Sequence, residues 1–236
     1  MSPRQLQEYL AFYRDLGITE LYLDGPGPGP EETDPRGAPA QAAASPVAAL
    51  KVIQDDIGDC TRCRLHAGRR NIVFGSGNPA AQVVFVGEGP GEDEDIQGLP
   101  FVGRAGKKLT EMIDGTFKAL GLPLRRKDVY ICNVVKCRPP GNRTPKPDEM
   151  QICGQFVARQ IKAIGPKAIC VLGGTAVKAL LKPPVGITKL RGTWQDWDGI
   201  PVMPTFHPSY VLRRYTKEVR TQVFDDLKKV FLRVYG

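Results

Sequence analysis

Four cysteines in this chain are spaced for chemistry. Cys60 and Cys63 form a C-x2-C turn, and Cys137 and Cys153 form a C-x15-C pair far downstream. Thiolates two residues apart in a tight turn can address one metal, and two more from a distant segment close a tetrahedral set. A [4Fe–4S] cluster takes four cysteine thiolates in the same way. Spacing alone leaves zinc and iron–sulfur both open. Cys132 and Cys170 lie within apolar runs and read as buried small hydrophobes. His66, three residues beyond Cys63, is expected at the surface because four cysteines suffice.

The glycine-rich loop Gly87-Glu88-Gly89-Pro90-Gly91 lies between the two pairs. It is not G-x-G-x-x-G, and it runs straight into Glu92-Asp93-Glu94-Asp95. Four carboxylates would repel a phosphate, whereas acids at a helix start are favoured by the helix dipole. What the loop offers is close backbone approach to a neutral ligand, with Glu88 projecting into the site. Phe101 follows a Gly98-Leu99-Pro100 turn and is by default a core residue; a loop position near a ligand makes it a candidate platform for a planar base. Asn133 falls inside an apolar run, where an unpaired amide costs about 1–3 kcal/mol. Either backbone groups satisfy it or it reads a ligand's polar edge, since an amide donates and accepts side by side. His207 precedes a proline that fixes the chain, and Tyr210-Val211-Leu212-Arg213-Arg214 follows with an aliphatic tip and two cations. That pattern suits DNA, with a wedge for the base stack and arginines for phosphates.

Some framework must gather these residues. Val83–Gly87, Val129–Val135, Ala168–Leu172 and Val202–Phe206 are short apolar runs of strand type, with helical segments expected near 104–120, 147–164, 174–182 and 217–234. Near-continuous apolar strands alternating with helices predict a three-layer α/β/α sandwich around a mainly parallel, four-stranded sheet. Ligands collect at the carboxyl ends of such strands. Gly87–Gly91, Asn133–Cys137, Gly173-Gly174 and His207–Ser209 all fall at those ends.

The first 46 residues stand apart. Residues 1–23 read as a helical appendage, with Leu6, Leu10, Phe12, Tyr13 and Leu16 set among charges, and 24–46 as a Gly/Pro/Ala-rich linker. Three basic and seven acidic residues give 1–46 a net charge of −4, so the total of +8 leaves +12 on the main domain, 47–236. A basic domain of that size suggests a polyanionic partner, nucleic acid before membrane. Arg4, Glu8 and Arg14 stand where a secretory segment would need apolar residues, and no stretch approaches the roughly 18 apolar residues of a membrane span. A cytoplasmic, monomeric protein without membrane attachment is expected, its cysteines ligands or free thiols rather than bridges.

The segments 87–95 (GEGPGEDED), 100–106 (PFVGRAG), 133–143 (NVVKCRPPGNR) and 207–213 (HPSYVLR), with both cysteine spacings, resemble the family 4 uracil-DNA glycosylases, the iron–sulfur branch of that superfamily. The resemblance is collinear over roughly residues 50–235 and excludes the first 46. It implies a DNA-repair hydrolase that releases uracil from DNA, and a [4Fe–4S] cluster on Cys60, Cys63, Cys137 and Cys153. It implies that Glu88, Gly89 and Pro90 line a uracil pocket, that Phe101 stacks on the flipped base and that Asn133 bonds its Watson–Crick edge. His207 would donate to uracil O2, and Glu88 is the other candidate for a part in catalysis. Glu94 and Asn142 match positions near the site. Other branches of the superfamily carry an Asp just before the loop proline; here that position is Gly89. A related branch that crosslinks to its product has a basic loop with a histidine after the Asn strand, where this chain has Cys137-Arg138-Pro139-Pro140, which favours hydrolytic turnover. The rival readings are a non-catalytic iron–sulfur DNA-binding accessory protein on the same scaffold, and a zinc-bound structural module.

Overall fold

The computed structural model describes residues 45–182 and 185–236. The expected N-terminal helix and nearly all of the linker lie outside them. The last two linker residues turn out to start a helix. Ser45 caps α1 (Pro46–Ile57) by accepting from the Ala48 N–H at 3.3 Å, and Pro46 occupies the first turn, where its missing N–H costs nothing.

The four expected parallel strands are present as β2 (Val83–Gly87), β3 (Tyr130–Asn133), β4 (Ala168–Leu172) and β6 (Ile200–Thr205). Two antiparallel edge strands, β1 (Ser76–Gly77) and β5 (Gln195–Trp197), complete a six-stranded sheet in the order β1-β3-β2-β4-β6-β5. The β5–β6 hairpin turns at Asp198-Gly199, both with positive φ (54° and 81°), which is what an Asp-Gly turn in the sequence signals. β3 is shorter than the apolar run 129–135 because the chain leaves the ladder after Asn133. Val134 and Val135 still donate to the carbonyls of Gly87 and Glu88, at 2.9 and 3.2 Å.

The strands are apolar throughout because both faces are covered. Val84, Val86, Ile169 and Val171 pack on the side that holds α1 and α4 (Pro147–Ile164), through Leu50, Ile53, Phe156 and Ile161. Val83, Phe85, Cys170 and Met203 face α3 (Arg104–Ala119) and α8 (Lys217–Tyr235), through Leu109, Ile113, Phe117, Leu227 and Phe231. The three layers therefore follow from the two-residue alternation of each strand. Cys132 and Cys170 are fully buried in the sheet, and burial pushes both thiols up, as expected of inert core cysteines. His66 is exposed. Between the major elements lie the short helices α2 (Glu92–Gln97), α5 (Gly174–Leu181), α6 (Ile187–Leu190) and α7 (Pro208–Arg213). None of the described helices is long and apolar enough to cross a membrane.

Candidate active site

The carboxyl ends of β2, β3, β4 and β6 open into one cavity of about 630 Å3. Its walls include Glu88, Gly89, Pro90, Phe101, Asn133 and His207, together with Glu94, Asn142, Arg143, Tyr210 and Arg213. Every residue expected to line a base pocket is thus in one place, although the motifs span more than a hundred positions of sequence.

Asn133 sits at the end of β3, directly opposite Gly87 on β2. It is 1% exposed, and among the described residues neither Nδ2 nor Oδ1 has a hydrogen-bond partner. A buried amide left unpaired is a cost to folding, so its donor and acceptor are available to something that enters the cavity. Gly87 permits this arrangement: a Cβ there would lie 2.4 Å from Asn133 Oδ1 and 2.5 Å from Phe101 Cζ. Phe101 is buried, and its ring centre lies 5.7 Å from that of His207 at a 37° tilt.

His207 follows β6 and caps α7. The Ser209 N–H donates to its Nδ1 at 3.1 Å, and the Ser209 hydroxyl lies 2.8 Å from the same nitrogen. With Nδ1 occupied as an acceptor, a neutral ring carries its proton on Nε2. Burial, with a smaller contribution from the nearby Arg213 cation, pushes the ring's pKa down to about 4, so it is neutral at pH 7.

Glu94 and Asn142 line the cavity but are occupied by its framework. Glu94 Oε2 accepts from the Gly91 N–H at 3.1 Å, and Oε1 from the Val102 and Gly103 N–H groups at 2.8 Å each. One carboxylate therefore binds the glycine loop to the Phe101 loop. Asn142 Oδ1 accepts from Arg138 Nε at 2.8 Å. Arg143 makes a two-pronged pair with buried Glu149 (2.8 and 2.7 Å), fixing the rim where this loop enters α4. Of the expected DNA-contacting residues, Arg213 reaches the cavity rim and Arg214 is exposed beyond it. Leu212 is half-buried on α7 and does not line the cavity. Ile187 and Thr188, also in the wall, escaped the sequence reading because a four-residue helix with no titratable group at these positions carries no signal.

Cys60 and Cys63, just after α1, Cys137 beyond β3 and Cys153 on α4 line a second, small cavity with Ile57, Ile72, Lys136, Ile152 and Phe156. All four are free thiols. Three of them receive donors: Cys60 from Arg62 Nη1 and Cys137 from Arg69 Nη1, both at 3.6 Å, and Cys153 from the Lys136 N–H at 3.3 Å. Burial pushes the Cys137 thiol up to about 11, so a thiolate there needs a positive partner at the sulfur. Among the described residues, no group of three or more His, Cys, Asp or Glu is gathered closely enough to hold a single metal ion.

An amide unpaired among the described residues, an aromatic ring and a neutral imidazole thus share one strand-end cavity of a mainly parallel sheet. Residues 74–228 match the model of the uracil DNA glycosylase superfamily. A type-4 uracil-DNA glycosylase of Thermotoga maritima is 50% identical over 182 residues, covering 76% of this chain and 92% of the relative. One from Saccharolobus solfataricus is 42% identical over 77% of this chain and 84% of its own length. A type-5 enzyme of Pyrobaculum aerophilum is 36% identical over only 84 residues, 34% of this chain. The chain belongs to the uracil-DNA glycosylase superfamily, within its type-4 branch.

Proposed function

We propose that this protein hydrolyses the N-glycosidic bond of uracil in DNA, giving free uracil and an abasic site. The observation that carries the reading is the unpaired, buried amide of Asn133 at the floor of the cavity. Uracil presents a carbonyl at O4 beside an N–H at N3; an amide offers the complement, Nδ2–H to O4 and Oδ1 to the N3 proton. Cytosine presents the reverse pattern at these two positions and would leave both amide groups opposed. Phe101 would supply the face on which the flipped base stacks, and Glu88, Gly89 and Pro90 would contact it from the glycine loop that lines the same cavity.

Bond breaking leaves positive charge on the sugar and negative charge on uracil N1 and O2. We assign His207 the donor role at O2, through Nε2–H. A donor there strengthens as the charge develops, and one such donor is worth about 2.7–4 kcal/mol in the transition state. Glu88 is the loop carboxylate assigned to the cationic sugar; Gly89, where other branches have Asp, offers no second one. Arg213 and Arg214 would bind phosphates, and Leu212 would press on the stack that the base has left. We assign Glu94 and Asn142 to holding the loops rather than to the base.

The four cysteines fit a [4Fe–4S] cluster. They share one cavity, and three of them, Cys60, Cys137 and Cys153, have donors for anionic sulfur. When bound, the cluster would supply four iron–sulfur bonds tying the segment after α1, the loop after β3 and α4 together. An aerobically purified protein that is brown supports this reading; a colourless one with stoichiometric zinc supports the zinc module. We further infer a cytoplasmic monomer.

The test of function is duplex DNA bearing one uracil, incubated with the protein and then treated with alkali. Strand breaks at the uracil are expected, and binding without breaks supports the non-catalytic accessory protein instead.

A further inference from the structure

Phe101 is held in a backbone conformation that its side chain disfavours. Its φ is +55°, in the left-handed region, which a bulky residue keeps only where its surroundings over-determine it. The surroundings grip it on both sides. On the far side, Glu94 takes the N–H groups of Val102 and Gly103. On the near side, Arg126 Nη2 donates to the Pro100 carbonyl at 2.8 Å, the peptide that leads into Phe101. The same guanidinium is anchored on α3 through Nη1, which donates to Thr110 Oγ1 at 2.8 Å and to the Gly106 carbonyl at 3.2 Å. Its own backbone N–H donates to Asp114 Oδ1 at 2.7 Å. The Phe101 loop lies hard against α3: a Cβ on Gly106 would fall 1.9 Å from Phe101 C and O.

Arg126 lies in a single helical turn before β3, outside every motif that pointed to function. Among the described residues no carboxylate forms an ion pair with its guanidinium, and its side-chain bonds go to neutral oxygens of the Phe101 loop and α3. A planar fork of donors suits that task, because it fixes direction as well as distance; a lysine ammonium would not.

We propose that Arg126 is the positioning residue of the Phe101 platform, and that with Glu94 it sets the angle at which Phe101 meets the flipped base. The inference rests on the assignment of Phe101 as that platform. Arg126 is not among the residues that line the cavity, so its effect on excision is expected to pass through Phe101.

A double-mutant cycle on the full-length protein tests this. Single-turnover excision from uracil-containing duplex is measured for the parent, Arg126→Met, Phe101→Ala and the double variant, with melting temperatures alongside. Arg126→Met is expected to slow excision by about 10-fold to 100-fold, the loss typical of a misplaced contact. In the Phe101→Ala background it should slow excision by no more than about two-fold, because the residue it positions is gone. Arg126→Lys should fall between parent and Arg126→Met, and the cycle is run with it if the methionine variant does not fold. A merely structural role would lower melting temperature in both backgrounds and slow excision equally in both. Equal slowing in both backgrounds, or none in either, overturns the proposal. Should Phe101→Ala excise uracil as fast as the parent, the platform assignment itself fails, a result distinct from additive losses with a slow Phe101→Ala.

Discussion

At the scale of single residues, the site rests on two side chains whose states are fixed by their neighbours. Among the described residues Asn133 has no partner for either amide group, and Gly87, opposite it, leaves room for its Oδ1. Asn133→Asp replaces the Nδ2 donor with an oxygen and should slow uracil excision by about 10²-fold or more, given that unmatched polar groups discriminate strongly. A protonated carboxyl could pair with cytosine's N3 and N4 side, so the variant should be assayed on both bases. Undiminished excision of uracil would remove Asn133 from recognition. His207 is held neutral by burial, with Nδ1 accepting from Ser209. Its single-turnover rate should therefore be flat from pH 8 to about 5. It should fall only as pH approaches about 4, where Nδ1 protonates and loses the Ser209 bond. An inflection near the ordinary histidine value of 6.5 would contradict the assignment. The stability sign is the same: the unfolded chain binds this proton more readily, so His207 costs stability as pH falls from 6.5 towards 4. His207→Ala should slow excision by about 10²–10³-fold with DNA affinity nearly intact.

At the scale of elements, the strand-end loops are packed so closely that backbone, not side chain, fills the space. Gly87→Ala puts a Cβ into Asn133 and Phe101 together. It should reduce excision far more than it lowers melting temperature, and parallel losses of both would mean that the site has no special dependence on this contact. Cys137→Ser should reduce iron content and folded yield more than base specificity, since the proposed ligands join the segment after α1 to the loop after β3; a fully stable, active and colourless variant would show that no such tie is needed. The elements themselves differ in how legible they were. Four parallel strands and α3, α4, α5 and α8 announced themselves by apolar runs and helical periodicity. The edge strands did not: Ser76-Gly77 is two residues long, and Gln195–Trp197 is polar because its side chains are half-exposed or exposed. The Asp198-Gly199 turn was the one available sign of that hairpin. Glu94 looked like one more acid in a helix-start cluster; of the three backbone N–H groups it accepts from, Gly91 is local, but Val102 and Gly103 come from a loop eight and nine residues on that no local pattern reveals. Arg126 had no signal at all, for its side-chain partners are two carbonyl oxygens and a threonine hydroxyl.

At the scale of the whole molecule, the charge and the site agree. The main domain carries +12, and Arg213 stands on the rim of the cavity with Arg214 exposed beside it. Arg213→Ala and Arg214→Ala should each weaken binding to uracil-free duplex and reduce the salt slope by about 1, since each lost phosphate contact releases one fewer counterion. An unchanged slope would place the DNA elsewhere. The convergence of loop, amide and imidazole at one sheet edge was legible from strand-end positions alone, because a parallel sheet leaves its ligands only that edge. The measurement that tests the central claim most directly is release of free base from duplex DNA carrying one labelled uracil, at saturating protein. The account predicts free uracil and abasic sites in equal amounts, with little release by Asn133→Asp or His207→Ala. Tight binding of the duplex with no free uracil would contradict it.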